Sequence, residues 1–162
     1  MLSLQDNICK HDFERFISIC FETFDFFSLT ENGWEITDKE AEARRIKKIL
    51  EPFHIRSIST SSWFAYSVPQ NRRIEVCLYK TTQQAKDIFL KEYHSMFYEG
   101  SVWKKPEDIC FFKGEKLIVG SSTHEKICYV YENDIEFLQK IIDCGNWKSM
   151  PDNKQEQICF CN

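Results

Sequence analysis

Glycine and proline are scarce in this chain, with five and four among 162 residues. So few breakers leave little room for long flexible linkers. Neither glycine-rich phosphate loop, G-x-x-x-x-G-K-[ST] or G-x-G-x-x-G, occurs, which removes the sequence basis for phosphate binding. No run approaches the ~18 apolar residues that a membrane span requires, so no membrane association is expected. The N-terminus, MLSLQDNICKHDFERF, has no basic stretch followed by an apolar one, and no secretory signal is read there. An excess of positive charge is missing as well. The 25 acids outnumber the 21 Lys and Arg, for a net charge of −4, which argues against a nucleic-acid partner needing a clustered basic footprint.

Cysteine is plentiful at eight residues, but without export the thiols stay reduced and behave as small buried hydrophobes. Cys20, Cys77, Cys110 and Cys128 all fall in apolar-patterned segments, as that reading requires. A reducing, cytoplasmic setting is therefore expected. Aromatic residues are the other abundance: 14 Phe, 6 Tyr and 4 Trp. Rings of that size spend most of their area on packing, and a chain of this length buries roughly 70% of its unfolded surface. One domain over residues 1–162 follows, with 146–162 as a loosely held polar tail.

Periodicity predicts an α+β fold: an antiparallel sheet of about six strands with four helices packed mainly on one face. The helices are expected at 5–25, 38–51, 82–96 and 134–144. Phe13, Phe16, Ile17, Cys20, Phe21 and Phe24 form the stripe of the first, and Ser28 to Gly33 reads as a loop after it. Thr37 to Glu40 fits a capping box, and Pro52 closes the second helix. The last helix is expected to turn Ile135, Leu138, Ile141 and Ile142 inward. Strand-like runs cover 53–59, 63–68 and 73–79, and the meander DICFFKGEKLIVGSSTHEKICYVY supplies the rest.

Chemical signatures are sparse beside this patterning. Thr123-His124-Glu125 places a base beside a carboxylate on a loop, with Cys110 and Cys128 in the flanking strands. No glycine-rich turn follows either Cys to supply an oxyanion site, so the structural reading, a loop hydrogen-bonding its own backbone, is preferred. Cys159-x-Cys161 lacks a second pair at zinc spacing, and His11, His54, His94 and His124 fall on separate elements. No catalytic residue, metal or cofactor is assigned. Arg44-Arg45 and Lys47-Lys48 share their helix with Glu40, Glu42 and Glu51, the pattern of a solvated, ion-paired face.

Charge distribution is more informative than its sum. Residues 1–34 carry six acids against two bases, 70–105 four against seven, and 106–162 ten against six. In the last segment Glu107 and Asp108 precede a strand, Glu115 sits on a turn, His124 and Glu125 occupy a loop, and Glu132, Asp134 and Glu136 crowd a helix start. The helix dipole accounts for the last three, but it gives nothing to Glu107, Glu115 or Glu125. Gathered on one edge, these residues form an acidic partner-binding surface, with Trp103 and Trp147 as aromatic anchors. Such a surface selects a basic protein partner.

In size, acidity, reduced thiols and want of catalytic spacing, the whole chain resembles the small cytosolic immunity proteins of bacterial toxin systems. No motif is specific to that class, so no family residue is carried over. The resemblance implies a stoichiometric inhibitor that blocks a basic toxin, such as a nuclease, by steric and electrostatic occlusion. Two alternatives come from other classes: a small cysteine-dependent hydrolase using His124, and a homodimeric scaffold joined through the Phe-rich first helix.

Overall fold

Phe13, Phe16, Ile17, Cys20 and Phe21 recur at three- and four-residue steps, and the helix α1 (Lys10–Thr23) buries all five. The structure, a computed structural model, describes residues 1–32, 40–97 and 105–151. In chain order the strands are β1 (Leu2–Leu4), β2 (Phe26–Asn32), β3 (His54–Thr60), β4 (Ser62–Trp63), β5 (Tyr66–Ser67), β6 (Ile74–Lys80), β7 (Glu107–Lys113), β8 (Lys116–Ser122), β9 (Ile127–Val130) and β10 (Trp147–Ser149). The remaining helices are α2 (Glu40–Leu50), α3 (Gln83–Glu92) and α4 (Ile135–Ile142). The α+β class agrees with the sequence reading. The main sheet holds eight strands rather than about six, in the order β10-β1-β9-β8-β7-β2-β6-β3, and β4 and β5 form a separate hairpin. Among the described residues no helix is long and apolar enough to cross a membrane.

Alternation divides the sheet into two differently covered faces. Phe27 and Leu29 of β2, Cys77 and Tyr79 of β6, and Ile109 and Phe111 of β7 join one core with the buried residues of all four helices. Aromatic rings dominate it: Phe21 lies 4.9 Å from Phe27, which stacks on Tyr79 at 5.2 Å. On the opposite face Ile74, Val76, Leu78, Cys110, Phe112 and Leu117 pack under Trp63, with Phe64, Tyr66 and Val68 against them. The β4–β5 hairpin therefore lids the face that the helices leave open. Gly120 permits the lid to close, because a Cβ there would clash with the Phe64 ring.

Three departures from the expected elements come from pairings distant in sequence. The first helix begins at residue 10 and not 5, because residues 7–9 pair in extended form with 94–97. Lys10 N–H donates to the His94 carbonyl and Met96 N–H to that of Ile8, and the Asn7 side-chain amide clamps both backbone groups of Phe97. The expected loop from Ser28 is instead a central strand, β2, paired with β6 on one side and β7 on the other. Its Ser28 and Thr30 are buried under the hairpin, so alternate polarity there marks the second face and not solvent. The tail expected from residue 146 starts with β10, an edge strand on β1 whose Trp147 lies against Phe16 at 5.5 Å. Thr37, Asp38 and Lys39 of the expected capping box lie outside the described residues, as do Trp103 and the segment 158–161.

Arg45 and Lys47 of α2 are ion-paired, as expected of a solvated helix face. Arg45 bridges Glu42 and Glu92, and Lys47 reaches Glu31 at 3.3 Å and Glu75 at 3.1 Å.

Candidate functional site

Antiparallel pairing sends the acidic positions to two ends of the sheet. Lys113 pairs with Lys116 across the turn bearing Glu115, and Val130, just before Glu132, pairs with Val119. Glu115, Glu132, Asp134 and Glu136 thus belong to one end. Glu107 pairs with Thr30, and Ser122 with Ile127, which puts Glu107, Asp108, His124 and Glu125 at the other. A seven-residue strand separates the groups by roughly 20 Å. The acidic positions read from sequence as one edge fall into two groups at opposite ends of the sheet.

At the α4 end the carboxylates build structure and rim it with charge. Asp134 caps α4, its carboxylate accepting from the N–H groups of Glu136 at 2.9 Å and Phe137 at 3.2 Å. Glu132 accepts from the backbone of Asn133 at 2.8 Å, and Glu136 pairs with Lys140 at 2.8 Å. The helix turns Phe137 and Ile141 into the core, with Phe137 edge-on to Phe24 at 5.0 Å. That choice excludes two residues expected to face inward: Ile135 is 71% exposed and Ile142 51%. At 100° per residue they lie about 20° apart on the outer side, so one short helix cannot bury both pairs. Glu136 and Asp143 fall beside them, and residues 132–143 hold four acids against the one base Lys140. The outer face of α4 is an apolar strip in an acidic frame.

At the other end Glu107 is only 3% exposed and Asp108 1%, so neither lends charge to the surface. Their placement comes from a β-bulge: the β2–β7 register shifts between Ser28 and Thr30, and Asp108 takes a φ of +57°. Asp is among the few residues that enter this left-handed region at modest cost. The bulge brings Asp108 under the hairpin, where its Oδ1 accepts the Thr123 N–H at 2.7 Å and its Oδ2 the Thr30 hydroxyl at 3.0 Å. The Tyr66 hydroxyl also bonds this carboxylate. Burial pushes the Asp108 carboxyl above the usual carboxylate range, against the pull of these donors and of His124. His124 lies edge-on to the Tyr66 ring at 4.6 Å, and its Nε2 is 3.7 Å from Glu125.

Thr30 and Tyr66 escaped sequence reasoning because they come from separate segments, and Thr123 was read only as part of the His124 loop. Ile135 and Ile142 were legible only through the competing Phe137–Ile141 stripe. Trp147, expected as an anchor, is half-buried in packing against Phe16. Cys110 and Cys128 are fully buried, and burial is the chief cause that raises both thiols, Cys110 to about 12. Such thiols stay protonated at neutral pH, which opposes nucleophilic use. The phenylalanines of α1 are interior and leave no aromatic stripe for self-association.

No protein-family model matches this chain, and comparison with curated proteins and with solved structures finds no match.

Proposed function

We propose that this protein is a binding inhibitor of the immunity type, which docks on a basic protein partner through the outer face of α4. The observation that carries the reading is the exposure of Ile135 and Ile142 within a frame of carboxylates. Exposed apolar residues rimmed by polar groups are characteristic of interaction surfaces. An acidic rim draws a basic partner and orients it before contact. Glu115 at the neighbouring turn extends the same field. Inhibition follows from occlusion: the bound chain covers a basic surface that a toxin or nuclease presents to phosphate, and the carboxylates compete for those contacts.

Capture from the native source at moderate salt tests this reading, with bound proteins identified by mass. One basic protein at equal stoichiometry is expected on the wild-type chain. A double variant, Ile135→Ser with Ile142→Ser, keeps the fold because both side chains are exposed, and it should bind at least about tenfold more weakly. Partner affinity unchanged in that variant, or no basic partner retained by the wild type, overturns the proposal.

A further inference from the structure

We propose that Glu107, Asp108 and His124 form a binding site for one divalent transition-metal cation of the manganese or zinc class. The site lies at the opposite end of the sheet from α4 and stands independently of the inhibitor reading. One donor atom from each of the three side chains lies within 4.8 Å of the others. Ligands around an ion at tetrahedral angles stand about 3.4 Å apart, so a small inward rotation completes the set.

Two features of the fold make this arrangement more than adjacency in sequence. Successive residues of a regular strand point to opposite faces, and only the bulge at Asp108 lets two consecutive carboxylates converge on the same imidazole. Two of the three candidate ligands, Asp108 and His124, are also supported from behind. Thr123 N–H and the Thr30 hydroxyl each hold one Asp108 oxygen and the Tyr66 hydroxyl bonds the same carboxylate, which leaves one of its four lone-pair positions for an ion. The Tyr66 ring packs T-shaped against the His124 imidazole. Such outer partners are what orient metal ligands in built sites. The carboxylates are buried, whereas the His124 side chain is 26% exposed, so the imidazole stands at the mouth and provides a way in. A divalent cation balances the charge of two neighbouring carboxylates held out of water. Two oxygen donors and one imidazole suit Mn2+ or Zn2+, with water completing the shell.

Mn2+ is the better probe, because eight cysteines would confuse a zinc titration. The full chain, stripped with chelator, is titrated with Mn2+ while electron paramagnetic resonance follows the free aquated ion. One ion per chain is expected. His124→Ala, at the exposed rim, should stay folded by circular dichroism and bind at least about tenfold more weakly. Asp108→Asn should abolish binding, and Glu115→Gln, at the far end, should leave it unchanged. A wild-type chain that binds no Mn2+ at about 1 mM, or a His124→Ala variant that binds as tightly, overturns the site.

Discussion

The thiols of Cys20, Cys110 and Cys128 are packed in the interior of this molecule. Cys110 sits among Ile74, Val76 and Phe112 on the hairpin face, and Cys20 and Cys128 lie in the helix-side core. Burial raises all three, with Cys128 and Cys144 adding to the effect at Cys20. Timed alkylation of the native protein near pH 8, read residue by residue by mass spectrometry, should modify exposed Cys9 first among the cysteines of the described residues. Cys110 and Cys128 should react more than about 100-fold slower, since reaching them requires the structure to open. Rapid labelling of either would restore weight to the cysteine-hydrolase alternative. Residue identity foretold this burial, because free Cys in apolar runs packs as a hydrophobe. It did not foretell Glu107 and Asp108, which ordinary statistics place on the surface. A bulge, invisible in sequence, turned them inward.

Capping at α4 shows how an element's ends and faces are decided separately. The start at Asp134 is local chemistry: a carboxylate that satisfies two orphan amides. Asp134→Ala should cost about 1 kcal/mol in urea unfolding, whereas Asp134→Asn should cost only a few tenths, since Asn caps equally well. Equal losses would instead assign the effect to the charge acting on the helix dipole. The inward face was harder to read, because Ile135, Leu138 and Ile142 compete with Phe137 and Ile141 for the core. Packing on Phe24 settles it in favour of Phe137. Strand β2 carries the same lesson, for Ser28 and Thr30 look like loop residues until a hairpin covers them.

Across the whole molecule the sheet is the shared wall of two cores, one under the helices and one under the β4–β5 hairpin. Its middle strands, β7, β2 and β6, are paired on both sides and packed on both faces. Native-state hydrogen exchange should therefore find the amides of 26–32 and 74–80 slowest, exchanging only by global unfolding. Those of β10 and of the two-residue β4 and β5 should exchange by local opening, several orders of magnitude faster. Uniform protection along the sheet would contradict this layering. The same layout separates the two candidate sites. The α4 face belongs to the helix side of one sheet end, and the carboxylate–imidazole cluster lies under the hairpin at the other.

Composition and periodicity by themselves determined the α+β class, the existence of four helices, the strand runs of β3, β6, β7, β8 and β9, and the burial of aromatic residues and thiols. Each rests on signals that repeat within about twenty residues, the range over which helical and strand periods are read. Tertiary structure alone decided that β1, β2 and β10 are strands, because their partners lie far along the chain. It also decided that the acidic positions fall into two groups at opposite ends of the sheet, since antiparallel register assigns each loop to an end. The meeting of Glu107 and Asp108 with His124 belongs to the same class of fact: it depends on a bulge and on three strands brought side by side.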